Sequence, residues 1–235
     1  MQLMLSLTTA LALAVLARAG AAHEGHRHPV PAARSGYAFP IANPGTYALP
    51  PIKPAAGGHV LDESARRHDL AGLLRAKATV LVFIYTRCGD VCPTATLNLA
   101  RIQDLAANDA SLAKRLRLVS MSFDPQHDTP DVMREQAAYW RSPNRNAPEW
   151  LFLTGPDEDT LAPVLAAYSQ PVSRKPDPSS PGGPLHHVFR AFLIDDEGVI
   201  RNIYSLDFFD PDLVLNDVRT LLMERRALPA HRPLR

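Results

Sequence analysis

The chain has 235 residues, of which 46% are hydrophobic and 21% charged, a composition typical of a soluble globular protein with one sizeable core. Its 25 basic and 24 acidic side chains nearly balance, so nucleic acid or an anionic surface is excluded as the expected partner. Two cysteines are too few for a disulfide scaffold, and this scarcity predicts redox or metal chemistry for the pair.

The N-terminal segment, residues 1–22, is typical of an export signal. An apolar stretch from Leu3 to Ala17 has about the length of a signal core and is short for a membrane span. Small residues follow it and offer cleavage sites, whereas the absence of Lys or Arg before Arg18 leaves an uncleaved signal anchor as the alternative. Both alternatives predict export to the periplasm or cell envelope, with membrane proximity through the N-terminus in the second.

Residues 23–57 are predicted to be a His-containing, Pro-rich disordered arm. Three imidazoles, those of His23, His26 and His28, fall within six residues and could bind Cu(II) or Zn(II) in an exchangeable way. The alternative is a solvated arm without a metal, and the sequence leaves both open.

The folded domain is predicted to span residues 58–226, before a tail at 227–235. Alternating strand and helix patterns predict an α/β fold: a thioredoxin-like, three-layer domain with a mixed central sheet and flanking helices. The predicted strands are 79–86, 116–123, 149–153, 188–194 and 199–204, and the predicted helices are 93–107, 130–140, 157–168 and 211–225.

Four local features of this domain are also predicted. Leu97, Ala100, Ile102 and Leu105 supply apolar positions for the buried side of the first of these helices. Asp128 or Thr129 caps the second, and Asp210 caps the last. Residues 195–198 form a hairpin turn. Residues 170–185 contain five prolines and two glycines and are predicted to be a long irregular loop.

Both cysteines lie where the strand at 79–86 gives way to a helix. The unpaired amides and positive dipole end of that helix favour a thiolate at Cys88 or Cys92. If the turn between them closes, the pair can form a disulfide or supply two soft metal ligands. A third donor is available in His186 or His187 at the end of the Pro-rich loop. Two sulfurs and one imidazole suit Cu(I), and hold Cu(II) when the geometry is fixed.

Three segments together resemble the copper-binding Sco/SenC family of assembly factors for cytochrome c oxidase, over about residues 58–225. The segments are VFIYTRCGDVCPT, SFDPQHDTP and LHHVFRAFLIDDEG. The resemblance implies a thioredoxin-like fold and a copper site made of Cys88, Cys92 and His187. His187 is chosen over His186 because its spacing from Gly198 matches that of the family's histidine, and His186 stands where the family usually has Asp. His186 could compete with His187 for the metal, or could contact the ligands without binding the metal itself.

The resemblance also implies a function in loading the binuclear copper centre of cytochrome c oxidase. The expected partner is the oxidase subunit that carries this centre, or another periplasmic copper chaperone. Thiol–disulfide activity of Cys88 and Cys92, paired as a disulfide when oxidised, is implied as well. Asp124 matches a family aspartate that could orient or tune the site, and a turn or capping function is the alternative. His59, His68, His127 and His231 are interpreted as structural or surface residues.

The residues suggest a mechanism in which the loop at 170–185 lets His187 move on and off the copper while an acceptor's thiolates take the ion. Whether the chain is an enzyme is left open. The main alternative is a metal-independent periplasmic thiol–disulfide oxidoreductase with Cys88 as nucleophile, although CxxxC differs from the usual CxxC. A peroxidase is disfavoured because FIYTRC lacks the expected proline and spacing. A binding module with a structural Cys88–Cys92 bridge would gain little stability from so small a loop.

Overall fold

The computed structural model describes residues 41–227. The strands are β1 (Lys53–Pro54), β2 (His59–Asp62), β3 (Arg67–Asp69), β4 (Ala78–Ile84), β5 (Leu116–Ser122), β6 (Glu149–Thr154), β7 (Val172–Arg174), β8 (Leu185–His187), β9 (Ala191–Ile194) and β10 (Val199–Tyr204). The helices are α1 (Leu70–Leu73), α2 (Val91–Ala106), α3 (Ala110–Arg115), α4 (Pro130–Trp140), α5 (Glu158–Ala167) and α6 (Pro211–Ala227), with a 3-10 turn at Leu206–Phe208. None of the helices in residues 41–227 combines the length and apolar character needed to span a bilayer.

Strand β4 forms the middle of the core. All seven of its residues are buried, as its unbroken apolar sequence predicts for a strand covered on both faces. It pairs in parallel with β5 on one side and antiparallel with β9 on the other. The chain leaves β4 at Ile84 and reaches the first cysteine four residues later, so the best-buried strand determines where the cysteine loop starts.

One mixed sheet contains eight of the strands, in the order β1-β10-β9-β4-β5-β6-β2-β3. Its centre, β4-β5-β6, is parallel, and the other pairings are antiparallel. Helices flank this sheet, with α2 packed on α6 and α4 packed on β6. The predicted thioredoxin-like α/β fold is confirmed.

Helix α2 starts at Val91, two residues before the predicted start, so Pro93 still lies in the first turn, where its missing amide breaks no helical hydrogen bond. The predicted buried side was wrong in part, because Leu105 is 43% exposed and only Ile102 of the four residues is fully buried. The buried side also includes two polar residues, which lie at the same helical spacing as the buried apolar ones. Thr96 donates to the Cys92 carbonyl at 2.9 Å, and Gln103 donates to the Pro148 carbonyl at 2.8 Å.

The segment predicted as an irregular loop contains regular structure. Strands β7 and β8 pair antiparallel as a separate two-stranded hairpin, with Val172 opposite His187. The prolines and glycines within the hairpin fall in the connection at 175–184, where no ladder hydrogen bond is needed. His187 therefore ends β8, whereas it was predicted to precede a strand starting at Val188, and β9 starts only at Ala191.

Residues 41–57, predicted to belong to the disordered arm, are packed against the domain. Leu49 is buried, and Lys53–Pro54 pairs with β10. The Tyr47 hydroxyl donates to Asp217 of α6 at 2.6 Å. This packing could not be predicted from the Pro-rich sequence, because isolated side chains make the contacts and no periodic pattern marks them.

Other local predictions are confirmed. Thr129 caps α4 through the Val132 amide, and Asp210 caps α6 through the amides of Asp212 and Leu213. Residues 195–198 form the turn between β9 and β10.

Candidate metal centre

The two cysteines lie on either side of the start of α2. Cys88 belongs to the loop after β4, where its amide donates to the Tyr85 carbonyl at 3.2 Å, and Cys92 lies in the first helical turn. Both thiols are free, and both residues are buried, with 6% and 5% exposure. A core strand followed by a tight turn therefore brings both sulfurs to one end of the helix, as predicted.

His187 reaches both sulfurs from the hairpin. Its Nε2 atom lies 3.9 Å from Cys88 Sγ and 3.7 Å from Cys92 Sγ. Bonds of about 2.3 Å to sulfur and about 2.1 Å to nitrogen, as zinc makes, separate S and N by about 3.8 Å when the bonds are at about 120°. The observed distances thus fit one ion in a trigonal arrangement. Within residues 41–227, these three side chains are the one group of at least three His, Cys, Asp or Glu whose ligand atoms converge, all within 4.8 Å.

His186 does not join this group. It is exposed and lies opposite Ser173 in the hairpin. Because neighbouring residues of a strand point to opposite faces, His186 faces away when His187 faces the sulfurs. The structure therefore separates the tandem histidines and places His187, the residue chosen from the family resemblance, beside the sulfurs.

The remaining histidines divide between the surface and the undescribed termini. His68 lies 2.8 Å from Asp62, and His59 and His127 are exposed, which agrees with a structural or surface function. His23, His26, His28 and His231 lie outside the described residues, as do the predicted signal and tail.

The two thiols are electrostatically unequal. The hydrogen bond from the Cys92 thiol, helped by the His187 ring and by backbone amides, lowers the pKa of Cys88 to about 4 against burial. The same bond, together with burial, raises the pKa of Cys92. The first proton therefore leaves Cys88, and Cys92 retains its proton until a partner charge or a metal ion replaces it.

Two aromatic rings pack against the His187 ring. The Tyr85 ring contacts it edge-on with centroids 5.4 Å apart, and the Phe123 ring contacts it at 5.3 Å. Both rings come from residues that directly follow central strands, so the imidazole rests on the same core that positions the cysteine loop.

Asp128, interpreted from sequence only as a possible cap, is instead a buried link between the cysteine loop and the sheet. Its carboxylate accepts hydrogen bonds from the Thr86 amide and hydroxyl and from the Ser122 hydroxyl. Burial raises the pKa of Asp128 against these donors. Its sequence signal was the motif DPQHDTP, with Ser122 just before it. Thr86 lies 42 residues earlier, so the link to the cysteine loop could not be read from the motif.

Asp124 forms an ion pair beside the site. Arg87, which directly precedes Cys88, donates to its carboxylate at 2.6 Å, and Asp124 is only 2% exposed. The Asp124 carbonyl also accepts from the amides of His127 and Asp128, so the residue forms a turn as well. The ion pair with Arg87 lies beside the site, as a residue that orients or tunes it would, and the carbonyl contacts agree with the alternative function in a turn.

Fold and site together define a thioredoxin-like protein with two thiols and one imidazole gathered at a helix start. A sequence model of the SCO1/SenC family matches residues 62–223. The chain belongs to the SCO1/SenC family.

Curated relatives agree with this assignment. The chain is 24% identical over 149 residues to the SCO1 protein homolog of Bacillus subtilis, covering 63% of this chain and 72% of that protein. It is 28% identical over 151 residues to protein SenC of Rhodobacter capsulatus, covering 62% of this chain and 61% of that protein. The chain thus spans about three fifths of SenC.

Solved structures share the fold. The crystal structure of Arabidopsis thaliana ScoI with copper bound superposes with a TM-score of 0.61 at 20% identity, covering 72% of this chain and 98% of that chain. BsSco, described as a member of the Sco family of cytochrome c oxidase assembly proteins with a disulfide switch, gives 0.58 at 20% identity, covering 74% and 96%.

Proposed function

We propose that this protein is a copper metallochaperone that carries one copper ion on Cys88, Cys92 and His187. The observation that supports this most directly is the convergence of the three ligand atoms within 4.8 Å. Copper is the cargo here, so its release belongs to the function as much as its binding.

The donor set favours copper in its reduced state. Two thiolates and one imidazole form a soft ligand set, which suits Cu(I) better than a hard cation. No described carboxylate belongs to the converging group, which argues against calcium or magnesium as cargo. The lowered pKa of Cys88 means that one ligand is already deprotonated at neutral pH, and binding releases the proton of Cys92.

The proposed acceptor is the binuclear copper centre of cytochrome c oxidase, or a second copper chaperone in the same compartment. BsSco is described as an oxidase assembly protein, and the Arabidopsis neighbour was solved with copper bound. Acceptor thiolates would replace the ligands of this protein one at a time, with His187 leaving when its hairpin opens. The N-terminal sequence supports a location in the periplasm or cell envelope, reached by export.

Titration with Cu(I) under anaerobic conditions tests the proposal. Reduced wild-type protein is expected to bind one Cu(I) per chain in competition with a chromophoric chelator. His187→Ala is expected to weaken binding by roughly tenfold or more, since a third ligand is lost. His59→Ala removes an exposed imidazole from β2 and serves as the matched control. Equal affinity of wild type and His187→Ala would show that the histidine is not a ligand.

A metal-independent thiol–disulfide oxidoreductase is the second candidate, favoured by the unequal thiols. The Cys88 thiolate would attack a substrate disulfide, form a mixed disulfide and release one substrate thiolate. The Cys92 thiol, on losing its proton, would then attack the Cys88 sulfur and release the second thiolate. The substrate gains two electrons and the Cys88–Cys92 pair loses them. Reduction of one equivalent of a model disulfide by the reduced protein, unchanged by copper chelation and by His187→Ala, would favour this candidate.

A further inference from the structure

We propose that the Tyr85 hydroxyl is a positioning group that holds the β7–β8 hairpin, and with it the His187 ring, against the two sulfurs. This inference rests on the proposed copper function and adds a residue outside the ligand set that determines how well the third ligand is placed.

The Tyr85 hydroxyl bonds to the hairpin rather than to its own strand. It donates to the Gly182 carbonyl at 2.7 Å, and the Leu185 carbonyl lies 3.4 Å away. Leu185 opens β8 and precedes His187 by two residues, so it lies on the same face of that strand. The Gly89 amide, between the cysteines, also donates to Gly182 at 3.4 Å. One carbonyl of the hairpin connection is thus bonded both to Tyr85, the residue that follows β4, and to Gly89 of the cysteine loop.

Gly183 makes this close approach possible. Its φ of +91° is in the region that favours glycine, and a Cβ atom there would lie 2.4 Å from the Arg87 carbonyl oxygen and 2.6 Å from the Tyr85 hydroxyl. A side chain at this position would push the connection off both groups. The hairpin therefore lies against the cysteine loop only because residue 183 has no side chain.

The contacts of the Tyr85 ring are separate from those of its hydroxyl. The ring packs on Phe123 at 5.1 Å and edge-on against His187 at 5.4 Å. Tyr85→Phe keeps these ring contacts and removes the hydroxyl, which bonds to the hairpin and also lies within hydrogen-bonding reach of the Cys88 thiol. The substitution therefore isolates the positioning step from the packing of the core.

Tyr168 supplies a matched control. It is equally buried, and its hydroxyl also donates to a backbone carbonyl, that of Ala56, at 3.1 Å. Tyr85→Phe and Tyr168→Phe should lower the melting temperature of the metal-free protein to a similar extent, because each loses one buried hydrogen bond. Only Tyr85→Phe should weaken Cu(I) binding, by roughly three- to tenfold, the range that one net hydrogen bond supports.

A double-mutant cycle distinguishes positioning of the histidine from a direct effect on the sulfurs. If Tyr85 acts through His187, Tyr85→Phe in a His187→Ala background should leave Cu(I) affinity unchanged. The thiolate-to-Cu(II) absorption band of Tyr85→Phe should also shift toward that of His187→Ala. An equal loss of affinity in both backgrounds, or no loss in the wild-type background, overturns the inference.

Glycine substitutions provide an independent test. Gly183→Ala should weaken Cu(I) binding at least as much as Tyr85→Phe. Gly198→Ala imposes a similar positive φ of +82° in the β9–β10 turn and should leave binding unchanged. Equal affinities for the two glycine variants would overturn the inference.

The proposed function and this inference fail in different ways. If the wild type binds no copper, or binds it no more tightly than His187→Ala, the ligand set is wrong and the inference falls with it. If His187→Ala weakens binding but Tyr85→Phe matches Tyr168→Phe, the ligand set stands and only the inference is overturned.

Discussion

Replacing Asp128 tests whether the cysteine loop is held from within the core. Asp128→Ala leaves three donors without their acceptor, namely the Thr86 amide, the Thr86 hydroxyl and the Ser122 hydroxyl. At about 1–3 kcal/mol for each buried unpaired group, the full loss would be about 3–9 kcal/mol. Two effects reduce this loss. Two of the donors are hydroxyls that can rotate toward other acceptors, and the substitution also removes the cost of burying the Asp128 charge. We therefore expect a loss of about 2–4 kcal/mol in the free energy of unfolding.

Urea denaturation of the reduced, metal-free protein measures this loss as a lower midpoint at an unchanged slope. Asp128→Asn retains one acceptor oxygen and should lose less than Asp128→Ala. Asp131→Ala removes an exposed carboxylate that pairs with Arg134 on the surface of α4, and it should change stability by less than about 1 kcal/mol. If Asp128→Ala were as mild as Asp131→Ala, the carboxylate would not fix the loop, and the structural interpretation would be refuted.

Three further predictions concern protonation and packing. Iodoacetamide at pH 6 should alkylate Cys88 and spare Cys92, and comparable alkylation rates at both sulfurs would contradict this. The absorbance of the Cys88 thiolate near 240 nm should disappear as the pH falls through about 4. Hydrogen bonds lower the pKa of Asp62 to about 2 against burial, so its stabilisation is present above pH 4 and lost between about 4 and 2. The free energy of unfolding of the wild type should therefore exceed that of Asp62→Asn by about 1–2 kcal/mol at neutral pH. If urea denaturation gives the same difference at pH 2, the lowered pKa of Asp62 is refuted. Tyr47→Phe removes the bond to Asp217 and should lower the unfolding free energy by about 1 kcal/mol, whereas no change would show that this bond does not stabilise the domain.

The sequence predicted the parts of the site that depend on local pattern. An unbroken apolar strand followed by CGDVCP placed both cysteines at a helix start, and the structure has them there. The choice of His187 came from resemblance, and the alternation of side chains along β8 now supports it. The positions of the cysteines depend on period and chain order, which a single sequence displays, whereas the choice of the histidine needed the family pattern.

Features that depend on distant contacts were not predictable. Strands β7 and β8 have three residues each, too few to show a period, so prolines dominated the prediction. The two bonds from Thr86 to Asp128 join residues 42 positions apart, and the Tyr85 bond to Gly182 joins residues 97 positions apart. Gln103 of α2 follows the same rule, because a distant partner, the Pro148 carbonyl, makes its side chain compatible with the interior.

The separation of the small hairpin from the eight-stranded sheet has a kinetic consequence. Among the strands of residues 41–227, β8 pairs with β7 alone, so moving the imidazole away from the sulfurs breaks no hydrogen bond of the eight-stranded sheet. Amides of β8 can then exchange with deuterium through a local opening, whereas amides of β4 exchange only when the whole domain unfolds. Under the proposed function, the rate of copper release is set by this local opening, and mutations can change it separately from the stability of the folded domain.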